Sequence, residues 1–546
     1  MIRHAAASLV VMALAPCLQS AGAIRAQQGN NGLLHRTYAA SPGYTLFAPL
    51  DSNDTFLVDL EGRLVQRWTS AYPPGQSVEL LADGRLMRAA RDPGDSPFRS
   101  GGEGGRIEEF DWDGTLLWTY VCCDDERRQH HDFELLPNGN VLLIAWEAKS
   151  PEEAVDAGRD FEAAQEGLWP DCVLEIEPTR PVGGKVVWEW HVWDHLIQDR
   201  DPAKPCFGVI AEHPERIDLN AGRAAPRAPD PAMSDADLEA LRKLGYVGDE
   251  VPESPAPAAE PERRDRRREG RRGARGMRAD WNHLNSVHYS PSLDQIVLSS
   301  HNQHEIWIID HGTTTAQAAT GAGGARGRGG DLLYRWGNPA NWHGGTAEAQ
   351  QLHGQHDARF IAGGLRGAGR LLVFNNNTRN GMGFGADRGE GRREGRGDGR
   401  PDQRSSHVLE LELPLLPDGS YQRAESGAFP PERPVWRYGG GDGEQQFFSP
   451  IVSGAQRLPN GGTLITSGSE GLILEISEKG ELVWKFKNPF RRTAAEAPRA
   501  GAAGGRAPAG PAGMMAGAIF RAIRIAPDDS ALKGRLLAPI EVPRSR

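Results

Sequence analysis

Short stretches in which apolar and polar residues alternate recur along most of this chain, and turns containing glycine, asparagine or aspartate separate them. The clearest stretch begins at a glycine or proline and ends in an aromatic residue. Its six copies are GRLVQRW (62–68), GTLLWTY (114–120), GKVVWEW (184–190), GDLLYRW (330–336), PVWRY (434–438) and GELVWKF (480–486). Alternation with a period of two predicts β-strands, and the intervening turns predict antiparallel pairing of neighbouring strands.

Two further strand-like stretches complete each repeat. The opening one follows a turn of the LPNG type, and the middle one ends at or beside an acidic or polar residue. The middle copies are TFLVDL (55–60), RIEEFD (106–111), CVLEIE (172–177), EIWIID (305–310), HVLELE (407–412) and LILEIS (472–477). One such sheet cannot bury both of its faces, so six are expected to stack radially around an axis. The sequence therefore predicts an all-β fold, a six-bladed β-propeller over residues 43–490. The alternative is a β-sandwich or a pair of β-domains, which a repeat of this extent disfavours.

Low-complexity segments rich in Gly, Ala, Pro or Arg interrupt the repeat. They lie at about 219–279, 313–330, 385–404 and 491–516. Such segments bury too little apolar surface to offset the entropy of ordering, so we expect mobile surface loops. Residues 517–546 are expected to form a C-terminal segment that closes the propeller. Within it, IFRAIRIAP (519–527) is predicted to add an outer strand.

The first 26 residues have the pattern of a secretory signal peptide. Arg3 and His4 precede an apolar run over 5–16, and small residues follow it. The alternative is an apolar N-terminal helix that is not removed. No later segment is apolar enough to span a membrane. We therefore expect a periplasmic or secreted protein without an integral membrane segment after signal removal.

The net charge disfavours nucleic acid as a partner, and the cysteine content bears on disulfides and on metal binding. The 62 Lys and Arg against 73 Asp and Glu give a formal net charge of −11, whereas nucleic-acid binding needs a basic face. Four cysteines follow the signal: Cys122, Cys123, Cys172 and Cys206. In an oxidising compartment they predict one or two disulfides of undetermined pairing, and their spacing is not that of a zinc ribbon or finger.

Three successive repeats place histidine just before the opening strand. These residues are His131 in HHD, His283 in DWNHLNS and His356 in HGQHD. Because the innermost strands of a propeller border its central channel, we expect the three side chains to converge at one end of that channel. The structural alternative, packing or hydrogen bonding alone, is the stronger interpretation for His130, His288, His304 and His353.

Converging histidines favour two kinds of chemistry. Imidazole is a common metal ligand, and it is also a nucleophile that a neighbouring imidazole can assist. The carboxylate set of a hydrolytic metal site is missing, whereas Asp132 and Asp357 directly follow their histidines and are predicted to orient ring tautomers. One tryptophan per repeat predicts packing between blades. Trp281 and Trp342 fall outside that series and are candidates for an aromatic wall around a ligand.

In this order, HHDFELLPNGNVLL, DWNHLNSVHYSP, SSHNQ-x-x-IW-x-I, QHDARF and IFRAIRI resemble the bacterial arylsulfate sulfotransferases. The resemblance spans roughly residues 43 to 527 without the insertions. It implies ping-pong transfer of a sulfuryl group from an aryl sulfate to a phenol through a sulfohistidine. No organic cofactor, nucleotide sulfate donor or metal is implied. By position, His356 is the expected nucleophile, His131 and His283 are the expected oxyanion-stabilising and proton-exchanging residues, and Asn285 is expected to bind the sulfuryl group.

One position departs from the family pattern. His301, in Ser299-Ser300-His301-Asn302-Gln303, stands where the family typically has arginine. Arginine is always charged and binds oxyanions with two donors, whereas histidine is charged only part of the time near neutral pH. Arg359 lies close to His356 in sequence and is a candidate substitute in substrate binding. Asn375, Asn376 and Asn377 are expected to be turn residues.

The leading hypothesis is thus an aryl sulfotransferase whose partners are small aryl sulfates and phenols. Two rivals stay open at this point. One is a non-catalytic secreted propeller that binds a ligand or protein at the same end of the channel, and His301 and the long insertions favour it. The other is a propeller enzyme with a histidine-bound metal. The sequence does not define the oligomeric state.

Overall fold

The computed structural model of the protein describes residues 32–221, 279–379, 404–424, 427–440, 447–490 and 517–540. The predicted signal peptide lies outside these residues, as do most of the insertion at 219–279 and nearly all of those at 385–404 and 491–516. No helix within the described ranges is long and apolar enough to cross a membrane.

Six antiparallel sheets form the six blades of a β-propeller, which confirms the predicted fold class. Blade 1 contains β2 (Tyr44–Pro49), β3 (Asp54–Val58), β4 (Leu64–Thr69) and β27 (Ile519–Ile525). Blade 2 contains β5 (Pro74–Leu80), β6 (Leu86–Arg91), β7 (Gly105–Phe110) and β8 (Leu116–Val121). Blade 3 contains β9 (Arg127–Leu135), β10 (Val141–Glu147), β11 (Asp171–Pro178) and β12 (Gly184–His191).

The remaining blades follow the same plan. Blade 4 contains β15 (Leu284–Ser290), β16 (Gln295–Ser300), β17 (Glu305–Asp310) and β18 (Tyr334–Trp336). Blade 5 contains β19 (His356–Phe360), β20 (Leu371–Arg379), β21 (Arg404–Leu411) and β22 (Trp436–Gly439). Blade 6 contains β23 (Gly454–Arg457), β24 (Thr463–Ser467), β25 (Leu472–Ile476), β26 (Leu482–Lys487) and the N-terminal strand β1 (Leu33–Arg36).

Small elements lie in the connections between these strands. They are the helices α1 (Pro151–Asp156), α2 (Phe161–Ala164) and α3 (Thr315–Ala318), the parallel pair β13 (Leu196–Ile197) and β14 (Ile217–Asp218), and 3₁₀ turns at Val192–His195, Ile210–Glu212, Pro339–Trp342, Ala347–Ala349, Gly468–Glu470 and Ser530–Leu532.

The apolar core is divided into layers between adjacent blades. Six clusters of buried side chains each draw on two neighbouring blades, so that together they run around the ring. A β-sandwich would instead bury one core between two sheets. Because each layer of core lies between two neighbouring sheets, the six sheets are arranged radially around the channel. The alternative of a β-sandwich is therefore excluded.

Within the described residues, recurring tryptophans join five of the six pairs of neighbouring blades through the indole N–H as well as through packing. The donor and acceptor pairs are Trp68 to the Asp111 carbonyl, Trp118 to Gly183, Trp190 to Gly330, Trp336 to Pro431 and Trp484 to Leu60, at 2.7–3.0 Å. Each acceptor belongs to the following blade or to the loop that covers it. The prediction that these residues mark contacts between blades is confirmed.

The ring closes through strands from both ends of the described chain. Strand β27 pairs with β2 of blade 1, and its neighbours around the channel are β5 and β23. The expectation of an outer strand was therefore wrong, because β27 is the innermost strand of its blade. Its burial explains the placement: six of its seven residues are buried, whereas β1, the outermost strand of blade 6, is mostly exposed.

The insertion at 313–330 also differs from expectation, because it is ordered. A capping box between Thr314 and Gln317 starts α3, and the Arg326 guanidinium donates to the Asp310 carboxylate at 2.7 Å. The expected disulfides are also missing, since the four cysteines of the described residues are all free.

Candidate active site

Three inner strands, β9, β15 and β19, begin at the same end of the channel and carry the predicted histidines there. The pairing with the neighbouring strand is irregular beside each of these histidines, in the middle of β9 and at the starts of β15 and β19. His131, His283 and Asp357 adopt positive φ angles of 49°, 52° and 54°. Non-glycine residues rarely adopt this conformation, and it turns their side chains out of the regular alternation of a strand.

Four imidazoles lie in a row at this end of the channel. Ring centroids are 4.6 Å apart between His131 and His283, 5.3 Å between His283 and His301, and 5.3 Å between His301 and His356. The first, second and fourth rings are buried, and His301 is partly exposed. The structure thus brings the three predicted catalytic histidines together and places His301 between His283 and His356. We call these four residues the histidine cluster.

The orientation of His356 is set by acceptors on one side of its ring. Its Nδ1 lies 2.9 Å from Asn376 Oδ1 and 3.2 Å from the Gly354 carbonyl oxygen. Because both partners are acceptors, Nδ1 carries the proton and Nε2 carries the lone pair. The backbone N–H of Val452 donates to Nε2 at 3.2 Å, which agrees with this tautomer. Asn376 is therefore a site residue rather than a turn residue, and its side chain donates to backbone carbonyls of blade 6.

A buried carboxylate orients His283. Its Nδ1 lies 2.5 Å from Asp280 Oδ2, and the carboxylate also accepts from Ser100 Oγ at 2.5 Å and from the Trp146 indole N–H at 3.0 Å. A carboxylate held in this way fixes the tautomer and the orientation of the imidazole. Despite the opposing effect of burial, the neighbouring His283 helps to hold the pKa of Asp280 below its ordinary value.

His131 is linked to a second buried acid through its neighbour. The Nδ1 atoms of His131 and His130 are 2.9 Å apart, and His130 Nε2 lies 2.7 Å from Asp171 Oδ1. The His130 ring stacks on Trp146 with centroids 4.0 Å apart. His130 is therefore more than a packing residue, because its ring connects His131 to a carboxyl group.

The aspartates that follow two of the histidines have a different role from the one predicted. Asp132 and Asp357 do not contact the rings; their carboxylates both bind Arg521 of the closing strand β27. Asp357 also binds Arg359, at 2.7 and 3.0 Å. The rings are oriented instead by Asp280, Asn376 and His130. Among these, Asp280 lies three residues before His283 and His130 lies next to His131, so both were local in the sequence, whereas Asn376 was not.

The predicted substrate-binding residues differ in their contacts. Asn285 is buried, and its Nδ2 donates to the Gln355 carbonyl oxygen at 2.8 Å, while its Oδ1 has no hydrogen-bond partner. The amide thus lies beside the residue that precedes His356. The Arg359 guanidinium is held by the Asp357 carboxylate, 2.7 Å away.

Trp281 and Trp342 do not form an aromatic wall at the site. Trp281 lies in the core between blades 3 and 4, and Trp342 lies in the core between blades 4 and 5, where it packs edge-on against Phe429. The aromatic rings next to the histidines are Trp146 and Phe520, whose centroid is 6.2 Å from that of His131. Trp146 was not distinguished by the sequence because it lies inside an ordinary strand.

Burial keeps most of the clustered imidazoles neutral. It lowers the pKa of His356 to about 4, although the hydrogen bond to Asn376 opposes the shift. Burial, together with the neighbouring histidines, holds the pKa of His131 and of His301 well below the ordinary value. The pKa of His130 is likewise well below that value, mainly because of burial. A neutral imidazole is the form that can act as a nucleophile or ligand.

These shifts predict a loss of stability in mild acid. The unfolded chain binds protons at its histidines near pH 6.5, whereas folded His356 binds one only near pH 4, so stability is present above pH 6.5 and is lost as the pH falls towards 4. Each histidine that stays neutral contributes a slope of up to about 1.4 kcal/mol per pH unit in this window. Urea unfolding at several pH values measures it. His301→Gln should reduce the slope of the unfolding free energy against pH by the contribution of one histidine. A free energy of unfolding that does not change between pH 7 and pH 5 would contradict the prediction.

One set of side chains has the composition of a metal site. Among the described residues, Glu147, Cys172 and His191 place one ligand atom each within 4.8 Å of the others. However, His191 Nδ1 hydrogen-bonds Glu147 at 2.9 Å, and Lys149 Nζ lies 3.6 Å from the same carboxylate. Cations already balance the charge of Glu147, so this set is explained as an ion-pair network on the outer part of blade 3.

The fold and the site together define a six-bladed β-propeller protein with a histidine cluster at one end of its channel. The family model described as Arylsulfotransferase (ASST) matches residues 44–387, more than half of the chain. The chain belongs to this arylsulfotransferase family, which places it among transferases that act on small molecules. No curated protein matches it.

Several solved structures are also similar to the chain. A protein of unknown function from Bacteroides caccae is 12% identical over 88% of this chain and 98% of its own, with a TM-score of 0.39. The periplasmic gluconolactonase PpgL of Pseudomonas aeruginosa is 11% identical over 82% of this chain and 96% of its own, with a TM-score of 0.31. These similarities are too weak to carry an argument about function.

Proposed function

We propose that the protein transfers a sulfuryl group from an aryl sulfate to a phenol through a sulfohistidine formed on His356. One observation carries the proposal. His356 Nδ1 is bound by two acceptors, so Nε2 has the lone pair in a cluster of three further imidazoles. A neutral, oriented imidazole is the nucleophile that this reaction requires.

In the first half of the reaction, His356 Nε2 gives up the 3.2 Å hydrogen bond from the Val452 N–H and attacks sulfur, and the bond from sulfur to the phenolic oxygen breaks. The electron pair of that bond goes to the phenolic oxygen, which takes up a proton and leaves as phenol. The imidazole keeps its Nδ1 proton, and the hydrogen bonds to Asn376 and Gly354 then stabilise the positive ring of the sulfohistidine. In the second half, an acceptor phenol loses its proton and its oxygen takes the sulfuryl group, which restores His356.

His283 and His131 are the proposed acid–base and oxyanion-stabilising residues. The Asp280 carboxylate fixes His283 Nδ1 as a donor, so His283 is proposed to stabilise the sulfuryl oxygens through Nε2, while His131 exchanges the phenolic proton. Asn285 is proposed to bind a sulfuryl oxygen through its amide N–H. Because Asp357 holds the Arg359 guanidinium, we place Arg359 in the support of the site rather than in contact with the sulfuryl group.

His301 occupies the position from which a cation would stabilise the sulfuryl oxygens. Its Nδ1 lies 3.0 Å from Asn302 Oδ1, and its low pKa leaves it uncharged in the resting protein. An anionic sulfate placed between His301 and His356 would favour protonation of this ring. The protein can therefore supply a cation here only when the substrate is bound.

Replacing this histidine with the residue typical of the family should increase activity. His301→Arg introduces a permanent charge with two donors, and we expect kcat/KM for sulfuryl transfer to rise by about 10-fold or more, on the scale of one oxyanion donor. His301→Gln, which cannot become charged, should lower it. Steady-state rates with one donor and one acceptor measure both effects. A His301→Arg protein no faster than the unaltered one would show that His301 does not stand in for the arginine.

The function is tested with 4-nitrophenyl sulfate as donor and phenol as acceptor, in the absence of nucleotide and added metal. We expect nitrophenol release that depends on phenol and equals the phenyl sulfate formed. Release without phenyl sulfate would indicate a hydrolase, and binding of the aryl sulfate without any release would support a ligand-binding propeller. Export to the periplasm or medium is also proposed, on the signal-like residues 1–26.

A further inference from the structure

A chain of three buried groups leads from the histidine cluster into blade 3. It runs from His131 Nδ1 to His130 Nδ1 over 2.9 Å, and from His130 Nε2 to Asp171 Oδ1 over 2.7 Å. None of the three side chains is exposed to solvent. One end of the chain therefore lies in the proposed site, and the other end is an acid on β11 that no substrate can reach.

Close packing fixes the rings of this chain. Trp146 stacks on His130, and a side-chain carbon added at Gly102 would lie only 1.9 Å from the His131 ring. The second oxygen of Asp171 accepts the Leu284 backbone N–H at 3.1 Å. The rings have no room to turn over, so a change of protonation state has to occur by movement of protons along the hydrogen bonds.

Both hydrogen bonds of this chain, from His131 to His130 and from His130 to Asp171, can be formed in two different protonation states. In the first, Asp171 is a carboxylate, His130 donates to it through Nε2, and His131 donates to His130, so that His131 Nε2 has a lone pair. In the second, Asp171 is a carboxylic acid that donates to His130 Nε2, and His130 donates through Nδ1 to His131 Nδ1, so that His131 Nε2 carries a proton. The two states differ by one proton, and both imidazoles are neutral in each.

We propose that Asp171 and His130 relay the phenolic proton to and from His131. This inference rests on the proposed function. When the donor phenol leaves, His131 Nε2 gives it a proton, His130 passes a proton to His131, and Asp171 passes one to His130 and becomes a carboxylate. When the acceptor phenol attacks, all three protons move back. The proton count balances over the two halves, and the negative charge is held at Asp171, two residues away from the sulfuryl group.

The surroundings of the relay favour neutral rings and an acid that can hold a proton. Burial first, and then the nearby Asp280 carboxylate, raise the pKa of Asp171 well above its ordinary value, although His283 and the Leu284 N–H oppose them. Glu147 adds to the increase. Burial lowers the pKa of His130, with Asp280 opposing and His283 and Arg128 adding to the effect. Storing charge on Asp171 therefore avoids a second imidazolium beside the sulfohistidine.

Outside the site, the protein contains a second buried histidine–acid pair that can be compared with His130 and Asp171. His195 Nδ1 lies 2.8 Å from Asp331 Oδ1, its Nε2 lies 2.8 Å from the Ala318 carbonyl oxygen, and its ring stacks on Trp190. This buried histidine and acid are arranged like His130 and Asp171, but they end on a backbone carbonyl rather than on another imidazole. Asp331→Asn is therefore the control for the structural effect of neutralising such an acid.

Asp171→Asn keeps the size of the side chain and the hydrogen bonds of the protonated acid, with its oxygen accepting the Leu284 N–H and its amide donating to His130 Nε2, but it cannot take up or release the proton. We measure the first half of the reaction in single turnovers without acceptor, using 4-nitrophenyl sulfate and unsubstituted phenyl sulfate. Nitrophenol leaves as its anion and needs no proton, so its release should change little. Phenol release should fall by about 10²-fold or more, the usual contribution of a general acid. His130→Gln should give the same dependence on the leaving group and serves if Asp171→Asn does not fold.

A purely structural role for the pair would slow both donors by the same factor, and that result would overturn the relay, as would unchanged rates with both. Asp331→Asn should leave the ratio of the two rates as it is in the unaltered protein. Absence of nitrophenol release from the unaltered protein would instead contradict the proposed function, so the two failures are distinguishable.

Discussion

Replacing His356 with alanine is expected to abolish sulfuryl transfer. The variant lacks the imidazole that Asn376 and Gly354 orient, and His131, His283 and His301 face the site with other hydrogen bonds. Removing a covalent nucleophile from an organised site costs rates on the order of 10⁴-fold or more. We expect no phenyl sulfate above background, and no protein species that has gained one sulfuryl group when donor is supplied without acceptor.

His353→Ala is a suitable control because it removes a histidine of the same loop that is outside the cluster. It should retain transfer and should still gain the sulfuryl group. Full transfer by His356→Ala, or a sulfuryl group found on another histidine in the unaltered protein, would show that the nucleophile has been assigned to the wrong residue.

The second large effect concerns Arg521, which joins the closing strand to the opposite side of the channel. Its guanidinium donates to Asp132 at 2.5 and 2.8 Å, to Asp357 at 3.2 Å and to Ser77 at 2.7 Å, and these partners belong to blades 3, 5 and 2. Arg521→Met would leave two buried carboxylates without this cation. Breaking a buried ion pair in this way costs about 3–5 kcal/mol in the free energy of unfolding. Urea unfolding monitored by tryptophan fluorescence measures the change.

Arg63→Met provides the comparison, because Arg63 pairs with Asp59 and Glu61 while about half exposed and should cost at most about 1 kcal/mol. Adding Asp132→Asn to Arg521→Met should cost less than the sum of the two single changes, since it removes one of the stranded charges. A loss below about 1 kcal/mol for Arg521→Met would mean that Arg359 and the backbone donors suffice for the two aspartates.

The repeat predicted the propeller because the pattern of strands and turns recurs in the sequence of each blade. The position predicted for IFRAIRIAP was wrong. A single strand that follows the last repeat contains no pattern that indicates which edge of a blade it joins. Alternation in β27 would suit either edge. Its nearly complete burial, including that of Arg521, follows from the partners that surround it and not from its own residues.

The histidine cluster was predictable because three repeats place histidine near one position. Two of the groups that orient these rings were harder to find, because they are distant in sequence: Asn376 is 20 residues from His356, and Asp171 is 41 residues from His130. Asp132 and Asp357 were misjudged because adjacency suggested contact with the rings, whereas their carboxylates bind Arg521 of β27, which is distant in sequence. The insertion at 313–330 became ordered through contacts with Asp310 and His195, which its composition does not reveal.

The closing strand also has a consequence for when the chemistry can begin. Synthesis produces the N-terminal blades first, and the proposed catalytic histidines of blades 3 to 5 all precede β27 in the sequence. Yet the cation that neutralises Asp132 and Asp357 arrives only with Arg521, near the end of the chain. A chain interrupted shortly before β27 would hold every proposed catalytic residue but not their assembled arrangement. Completion of the ring is therefore expected to precede the proposed sulfuryl transfer, because β27 supplies the cation that Asp132 and Asp357 share.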